Sequence, residues 1–407
     1  MSRTENKSKV ESNKIVIFGA GKIGRSFIGQ LFGWNGYNVV FVDVDPDIIA
    51  RLNHQGNYRV VIKCEKEEEI IVPNVQAISA LDKVKVAEAV STAGIIAVSV
   101  GKNALEKVIP IVAEGLMLRH QTDPEIPLDI ILAENMRSAA DFVKELLEKY
   151  LSTDYPIDKL VGLIETSIGK MVPLMTIADL EKDPLVVFAE PYNTLILDGK
   201  GFKCPIPGIK GLAPKNNIKA WVDRKAFIHN LGHATASYYG HYTHPEAVYI
   251  YEVLDDKRVF DFTRSVMLQS AEILLAAYPD DFTLTDLEDH IDDLLYRFRN
   301  KALKDTIYRV GQDLTRKLGY DDRFMGAIHL AILHKKPFDK ILKAMSYGFC
   351  FNAPDESGFS SGNDLSFLKQ IGEDFENTVI DKLGFDPEKD RAVINGLKLQ
   401  YESINAN

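Results

Sequence analysis

The chain has 407 residues, of which 46% are hydrophobic and 26% charged, and its formal net charge is −10 at pH 7. This length exceeds one ordinary hydrophobic core, so we expect a globular protein of two domains. The acidic balance argues against a general nucleic-acid binder, because no basic excess is present to replace phosphate counterions. A small anionic substrate stays possible, since a pocket can be basic on an acidic protein.

The cysteines and the N-terminus give no sign of export. Cys64, Cys204 and Cys350 are odd in number and far apart, and their spacing matches neither a disulfide framework nor a zinc site. The polar segment 1–13 lacks the apolar stretch of a signal peptide, and no apolar run is long enough for a membrane span. We expect a disordered tail over 1–13 and a cytoplasmic monomer or homodimer without membrane or nucleic-acid partners.

Strand-like and helix-like segments alternate over the first half of the chain. Apolar strands are predicted at KIVIF, NVVFVDVD, GIIAVSV, LDIILAEN, KLVGLIETS and LVVFAEPYNTLILD, with a strand pair at RVVIK and EIIVP. Helices are predicted over 85–90, 104–119 and 136–151. This alternation is typical of a parallel sheet covered by helices. The predicted fold class is therefore α/β, with a Rossmann-type, mostly parallel sheet.

The pattern changes after a connector rich in proline and glycine at 202–217. Beyond it, the apolar periodicity predicts helices over 222–241, 258–277, 285–298 and 303–318. We therefore predict a Rossmann-type domain over 1–205 and a mainly α-helical domain over 206–407, with the ligand site in a cleft between them.

A glycine-rich loop follows the first strand and opens a helix. Its GxGxxG residues are Gly19, Ala20, Gly21, Lys22, Ile23 and Gly24. Glycine lets the backbone approach a pyrophosphate, which a helix N-terminus favours. Asp43 closes the next strand, nineteen residues beyond Gly24, where a carboxylate can bind an adenosine ribose and repel a 2′-phosphate. The loop predicts dinucleotide binding, with NAD preferred over NADP, and S-adenosylmethionine is the alternative ligand.

Polar residues also end two later strands, at Ser99-Val100-Gly101 and at Glu134-Asn135. Ligands of open parallel sheets bind outside the carboxyl ends of the strands. We therefore expect Val100 and Gly101 to contact the cofactor and Asn135 to lie near the substrate. For Ser99 and Glu134, capping and turn formation explain the residue types equally well.

The segment KAFIHNLGH, 225–233, contains a lysine, an asparagine and two histidines. On an α-helix, with about 100° per residue, Lys225, His233 and Asn230 lie at about 0°, 80° and 140°, and His229 falls between Lys225 and His233. Hydride transfer from an alcohol needs a proton acceptor and donors for the developing alkoxide. A lysine can accept the proton if burial and nearby cations lower its pKa. The periodicity leaves both this reading and an ordinary polar helix face open.

Six collinear segments resemble the polyol-specific long-chain dehydrogenase family. They are GAGKIGRSFIG (19–29), FVDVD (41–45), AVSVG (97–101), AENM (133–136), RKAFIHNLGH (224–233) and LKDTIYRVGQDLTRKL with DDR (303–323). The family signature Lys-x4-Asn-x2-His matches Lys225, Asn230 and His233. The resemblance implies that Lys225 is the general acid/base, that Asn230, His233 and Asn135 hold the reacting oxygen, and that the reaction needs no metal. It gives His229 no catalytic role, so we expect this side chain to pack within the protein or to face solvent.

The chain departs from the family pattern at Ile168-Gly169-Lys170, where Val-Asp-Arg is frequent. The loss of that acidic side chain implies a changed substrate contact, an altered pKa of Lys225, or compensation by a residue such as Glu165. The family's cysteine is also Ala133 here, which we interpret as a packing difference.

A phosphorylated substrate needs cations, and five lie in one region, namely Lys304, Arg309, Arg316, Lys317 and Arg323. Arg309 and Arg316 are seven residues apart on the predicted helix 303–318 and share a face, so they are the candidate phosphate ligands. We expect three of the five to pair with nearby aspartates at the surface.

The resemblance implies NAD-linked interconversion of a hexitol phosphate and a ketohexose phosphate, namely mannitol 1-phosphate and fructose 6-phosphate. One alternative is a dehydrogenase of mannitol, mannonate or altronate. Another is a dinucleotide-binding protein that has lost catalysis.

Overall fold

The computed structural model describes residues 10–134, 136–173 and 175–406. The chain divides into two compact units, Met1–Ile218 and Lys219–Asn407. The tail segment 1–9 and Asn135 lie outside the described residues. The first strand starts at Glu11, so residues 11–13 of the predicted tail are extended strand. Lys14 holds this end in place, since its Nζ donates to Thr92 Oγ1 at 2.7 Å.

The described part of the first unit contains eleven strands. They are β1 Glu11–Phe18, β2 Asn38–Asp43, β3 Tyr58–Ile62, β4 Glu68–Val72, β5 Val75–Ser79, β6 Ala93–Val98, β7 Leu128–Leu132, β8 Val161–Ser167, β9 Val187–Ala189, β10 Leu195–Asp198 and β11 Leu212–Lys215.

Eight of these strands form one sheet in the order β11-β10-β8-β7-β6-β1-β2-β5 within the described residues. The six strands from β8 to β5 pair in parallel. If these six strands are numbered 1 to 6 in chain order, their order in the sheet, read from β5 to β8, is 3-2-1-4-5-6, which is the order of dinucleotide-binding folds. The prediction of a mostly parallel Rossmann-type sheet is confirmed.

Strand β1 lies at the centre of this sheet and is buried on both faces. Ile15 and Ile17 belong to one hydrophobic core, whereas Val16 and Phe18 belong to the other. Alternate side chains of a strand point to opposite faces, so the continuous apolar run KIVIF supplies both cores. Each such side chain contributes about 1.5–3 kcal/mol through burial.

Two more strands follow β8 in this sheet, and both run in the direction opposite to β8. Strand β10 pairs antiparallel with β8, and β11 pairs parallel with β10, where Leu195 aligns with Leu212. Strand β11 lies in the segment that the sequence analysis interpreted as a connector. Its Pro214 lacks an N–H group, which a strand at the edge of a sheet tolerates.

A second sheet of three strands has the order β4-β3-β9 within the described residues. Strands β3 and β4 pair antiparallel, which confirms the predicted strand pair, and β9 joins β3 in parallel. The predicted strand LVVFAEPYNTLILD is therefore two strands in different sheets. The break falls at Pro191, which disfavours continued strand pairing.

Helices of the first unit cover the sheets. They are α1 Gln30–Trp34, α2 Pro46–Gln55, α3 Lys83–Thr92, α4 Lys102–Thr122, α5 Ala139–Glu148, α6 Ile157–Leu160 and α7 Ile177–Lys182, with a π-helical segment Gly24–Gly29 before α1.

The second unit is helical, apart from an isolated bridge between Tyr249 and Thr306 in the described residues. Its helices are α8 Ile218–Arg224, α9 Leu231–Thr243, α10 Ile250–Leu254, α11 Lys257–Ala277, α12 Leu284–Phe298, α13 Ile307–Gly311, α14 Leu314–Lys317, α15 Met325–Leu333, α16 Asp339–Gly348, α17 Gly362–Glu373, α18 Phe375–Leu383 and α19 Arg391–Asn405, with a 3₁₀ turn Lys301–Leu303 and a π-helical segment Lys225–Asn230. Among the helices of the described residues, none has the length and apolar character needed to cross a bilayer.

The predicted single helix 303–318 is wrong, because the structure breaks it between α13 and α14. Asp313 adopts a left-handed backbone with φ of 70°. Its N–H donates to Asp364 Oδ2 at 2.8 Å, and the N–H of Leu314 donates to Asp364 Oδ1 at 2.9 Å. A carboxylate at a helix N-terminus satisfies amides that have no partner within the helix. Asp364 therefore stabilises a new helix start at this position.

Candidate active site

The glycine loop joins β1 to the π-helical segment Gly24–Gly29, and each of its glycines has a different environment. Gly19 has φ of 95°, and a β-carbon there would lie 2.7 Å from the Ser99 carbonyl oxygen. A β-carbon at Gly24 would overlap the Gly19 carbonyl oxygen, whereas a β-carbon at Gly21 would meet nothing within 4 Å. Gly19 and Gly24 thus form the turn and its close packing, and Gly21 leaves the approach to the backbone open, as pyrophosphate binding requires.

Asp43 at the end of β2 is bound to this loop. Its Oδ2 accepts the N–H of Ala20 at 2.6 Å, and its Oδ1 accepts those of Val44 at 2.7 Å and Asp45 at 3.0 Å. The carboxylate is therefore oriented by three backbone amides. The other loop residues differ in exposure, since Lys22 is exposed and Ile23 packs against a hydrophobic core.

The loop after β6 is fixed by Glu134. Its Oε1 accepts the N–H groups of Val100 at 2.8 Å and Gly101 at 3.0 Å. Burial raises the pKa of Glu134, and these two hydrogen bonds oppose that rise. Ser99 Oγ donates to the Phe18 carbonyl at 3.1 Å. Ser99 and Glu134 thus stabilise the turn, and the backbone N–H groups of Val100 and Gly101, two residues predicted to contact the cofactor, are bonded within the protein.

Lys225 and Asn230 are the first and last residues of the π-helical segment in the second unit. The N–H of Leu231 donates to the carbonyl of Ala226, five residues earlier, which is the π-helical pattern. Residues five apart diverge by about 140° on an α-helix, but they lie about one turn apart on this wider turn. The segment therefore brings Lys225 and Asn230 closer to one side of the helix than the α-helical spacing does.

Arg323 interacts with both Lys225 and Asn230. Its Nη1 donates to the Asn230 carbonyl at 3.3 Å and its Nε to Asp322 Oδ1 at 2.8 Å. Burial and, to a smaller extent, the Arg323 cation lower the pKa of Lys225 to about 8. A lysine with such a pKa is suited to general acid/base chemistry near neutral pH.

His233 lies in the first turn of α9 and is stacked on Phe298, with ring centroids 4.3 Å apart and an interplanar angle of 6°. Its Nε2 is 3.1 Å from Asp305 Oδ2, although the approach is too oblique for a hydrogen bond. Burial lowers the pKa of His233, and the charge of Asp305 opposes this effect. Asp305 in turn accepts from Arg309 Nε at 2.6 Å. Burial favours the neutral acid form of Asp305, but His233 and Arg309 outweigh burial and lower its pKa.

His229 has a different environment. It is buried, and its ring centroid lies 5.5 Å from that of Phe298. Burial, together with the Arg297 charge, holds the pKa of His229 well below its usual value. A neutral buried imidazole is suited to the packing role that the resemblance implied.

The two candidate phosphate ligands do not share a helix face, because they lie on α13 and α14 on either side of the break at Asp313. Arg309 is paired with Asp305. Arg316 is paired with Asp313, and its Nη1 lies 3.4 Å from Asp322 Oδ2. The structure therefore gives both guanidinium groups carboxylate partners within the second unit.

The burial of Lys317 and the contacts of Asp305 were not predicted from the sequence. Lys317 Nζ donates to the Val310 carbonyl at 2.7 Å, and burial, with Arg323, lowers the pKa of Lys317 to about 7. Both residues lie in the family-like segment 303–318. Its LKD and TRK triplets were the only available signal for them.

The family departure at Gly169 lies in the first unit. The neighbouring Lys170 is 6% exposed, and its Nζ donates to Asn193 Oδ1 at 2.7 Å and Gln30 Oε1 at 3.0 Å. Glu165 accepts the N–H of Ala140 at 2.9 Å. Both side chains thus bind neighbouring groups of the first unit. Among the residues that the structure describes, no group of three or more His, Cys, Asp or Glu side chains is arranged to hold a metal.

Two family models match the chain. One is described as the mannitol dehydrogenase Rossmann domain and matches residues 13–211, and the other is the mannitol dehydrogenase C-terminal domain and matches 217–379. A mannitol-1-phosphate 5-dehydrogenase of Streptococcus mutans is 32% identical over 340 residues, which cover 83% of this chain and 87% of the relative. One of Lactiplantibacillus plantarum is 30% identical over 390 residues, which cover 95% and 97%.

Two solved structures share the fold. Pseudomonas fluorescens mannitol 2-dehydrogenase, in a ternary complex with NAD and D-mannitol, has a TM-score of 0.74 at 14% identity and covers 96% of this chain and 92% of that one. A D-sorbitol dehydrogenase in substrate-free form has a TM-score of 0.75 at 15% identity and covers 100% and 98%. At these identities the likeness shows the fold alone.

Proposed function

The chain belongs to the mannitol dehydrogenase family, and from that premise we propose that it is an NAD-dependent dehydrogenase that interconverts mannitol 1-phosphate and fructose 6-phosphate. Family membership confirms the resemblance to polyol dehydrogenases and makes the chain a polyol dehydrogenase. The observation that supports the proposal is the π-helical segment, which begins at a lysine of lowered pKa, ends at an asparagine and continues into the helix of His233.

Lys225 is the proposed general acid/base. In alcohol oxidation its neutral amine accepts the hydroxyl proton, and in ketone reduction its ammonium returns the proton. Asn230 and Asn135 are proposed to hold the reacting oxygen, because an amide N–H stabilises a developing alkoxide without adding a charge. This set supplies both a proton acceptor and hydrogen-bond donors, so we propose a metal-independent reaction. Unchanged turnover after treatment with EDTA is the expected result.

NAD is the proposed cofactor, and when bound it supplies the hydride acceptor. The open approach at Gly21 and the fixed turn at Gly19 and Gly24 fit a pyrophosphate. The Asp43 carboxylate, oriented by three amides, favours a ribose hydroxyl over a 2′-phosphate. The solved mannitol 2-dehydrogenase of the same fold was bound to NAD.

The substrate phosphate is supported by the names of the relatives. One observation favours a second candidate, a non-phosphorylated polyol or sugar acid. Arg309 and Arg316, the residues proposed to bind phosphate, already contact Asp305, Asp313 and Asp322. A cation that is paired with a carboxylate offers less to a phosphate.

The experiment measures NADH oxidation with fructose 6-phosphate, fructose and a set of keto-uronates. We expect fructose 6-phosphate to have the highest kcat/KM, and preference for fructose or a keto-uronate would select the second candidate. Lys225→Ala should abolish turnover and retain NADH binding, whereas the exposed Lys219→Ala on α8 should be active. NADH binding without turnover of any of these compounds by the natural sequence would indicate a catalytically inactive dinucleotide-binding protein.

A further inference from the structure

The contact between His233 and Asp305 orients the imidazole. Nε2 is the ring nitrogen that faces the carboxylate, at 3.1 Å from Oδ2. Both side chains are largely removed from solvent, at 13% and 7% exposure. The other nitrogen, Nδ1, has no hydrogen bond within the described residues, so it is the ring atom available to a ligand.

Two further contacts hold this arrangement. The stack on Phe298 restricts rotation of the imidazole about its bond to the β-carbon, because that rotation would turn the ring out of the stack. Arg309 occupies the other carboxylate oxygen, since its Nε donates to Oδ1 at 2.6 Å. Arg309 therefore holds Asp305 through Oδ1, and Oδ2 is the oxygen that faces His233 Nε2.

The identity of the proton donor follows from the chemistry of the two groups. An ionised carboxylate only accepts hydrogen bonds, so the nitrogen that faces it carries the proton. The pKa of Asp305 is lowered and that of His233 is lowered, which favours a carboxylate beside a neutral imidazole at neutral pH. In a neutral imidazole with a proton on Nε2, Nδ1 has a lone pair and accepts a hydrogen bond.

We propose that Asp305 is a positioning residue that holds His233 in its Nε2–H form, so that His233 Nδ1 accepts a hydrogen bond from a hydroxyl next to the reacting carbon of the polyol. This inference rests on the proposed function. It assigns His233 to substrate recognition instead of the reacting oxygen, because a ketone oxygen has no proton to give to an acceptor. Lys225 and Asn230 then act at the reacting oxygen, and a sugar chain with a neighbouring hydroxyl is the preferred class of substrate.

The protonation of His233 can be measured without substrate. The full-length protein has nine histidines, and ¹⁵N labelling of histidine gives each ring two nitrogen signals that distinguish N–H from a lone pair. His233→Gln assigns the signals by their loss. We expect N–H at Nε2 of His233 and a lone pair at Nδ1 in the natural sequence. An N–H at Nδ1 with a lone pair at Nε2 would overturn the proposal, and this measurement does not depend on any Asp305 variant folding.

Asp305→Asn tests the cause, because an amide can donate to Nε2 and thereby favour the proton on Nδ1. We expect part or all of the His233 proton to move to Nδ1 in this variant, and an unchanged spectrum would refute the positioning role. Asp390→Asn is the matched control, since Asp390 is also buried and lies 3.0 Å from Nε2 of another histidine, His329. That variant should change the His329 signals and leave those of His233 unchanged.

Kinetics test the contact with the substrate. The 1-deoxy and 3-deoxy analogues of the preferred ketose each lack one hydroxyl next to the carbonyl. We expect one of them to lose about tenfold or more in kcat/KM with the natural sequence, mainly through KM, and Asp305→Asn to reduce this discrimination severalfold. Equal discrimination by Asp305→Asn and the natural sequence would overturn the inference and leave the proposed function intact. If the natural sequence turns over no polyol or ketose, both the proposed function and the hydroxyl contact are wrong.

Discussion

Lys225→Met removes the proposed proton acceptor and should also make the protein more stable. Methionine is similar in length and has no charge, so it fits this half-buried position without the cost of desolvating an ammonium group. The pKa of Lys225 falls from the ordinary value of 10.5 to about 8 because of burial and the nearby Arg323. The folded state therefore binds the Lys225 proton more weakly than the unfolded state does.

The magnitude follows from this difference in proton affinity. Each tenfold change in proton affinity corresponds to about 1.4 kcal/mol, so a shift from 10.5 to about 8 means that the charged lysine opposes folding by at most about 3.5 kcal/mol at neutral pH. Between about pH 8 and pH 10.5 the unfolded chain binds more protons at this site, so the stability of the natural sequence rises with pH. Lys225→Met lacks this pH dependence. Its advantage should be largest below about pH 8 and disappear toward pH 10.5.

Urea unfolding measures this effect. We expect the free energy of unfolding of Lys225→Met to exceed that of the natural sequence by as much as about 3.5 kcal/mol near pH 7, and by much less near pH 10. Lys219→Met, on the exposed face of α8, is the matched control and should change the free energy of unfolding by less than about 0.5 kcal/mol.

Two results would refute the reasoning. A variant that is no more stable than the natural sequence near neutral pH would show that Lys225 is not an unfavourably buried cation. Retained turnover in Lys225→Met would remove this lysine from the chemistry, whatever its effect on stability.

Three further predictions concern the loop and the pH profile. Gly24→Ala should lower the melting temperature, because its β-carbon overlaps the Gly19 carbonyl oxygen, whereas Gly21→Ala should fold normally and raise the Kd for NADH. Calorimetry measures the first effect and a binding titration the second. Equal behaviour of the two variants would contradict the assigned roles. The kcat/KM of alcohol oxidation should rise with pH to a plateau above about 8, the pKa of Lys225, and the kcat/KM of ketone reduction should fall over the same range. Arg323→Gln should move the midpoint of both profiles upward by about one pH unit. An unmoved midpoint would show that Arg323 does not lower the pKa of Lys225. Asp43→Ala should lower the NAD-to-NADP ratio of kcat/KM by about tenfold or more, since a carboxylate repels a 2′-phosphate; an unchanged ratio would count against the ribose contact.

The first unit was predictable from sequence because its strands are specified locally. The run KIVIF is buried on both faces of the sheet, and such a strand is a continuous apolar segment between turn residues. Strand β11 was missed, since it contains Pro214 and depends on the neighbouring β10.

In the second unit the features that matter depend on residues distant in sequence. The break between α13 and α14 is stabilised by Asp364, fifty-one residues beyond Asp313. Asp305 is one aspartate among many until the fold brings it to His233. The signature Lys225, Asn230 and His233 was recognised by resemblance, whereas α-helical spacing left an ordinary polar helix face open and did not predict the π-helical turn.

The π-helical turn also means that the chain between α8 and α9 contains one residue more than an unbroken α-helix would use. Deletion of Ala226 would let the two helices join without rotating either against its neighbours, so the packed second unit should accept this shortening better than a deletion within α9. In the shortened chain Lys225 and Asn230 would be four residues apart, and residues four apart are also neighbours on an α-helix, so the two side chains should stay on one side. The extra residue is therefore examined by a deletion, which surveys of substitutions alone would not include.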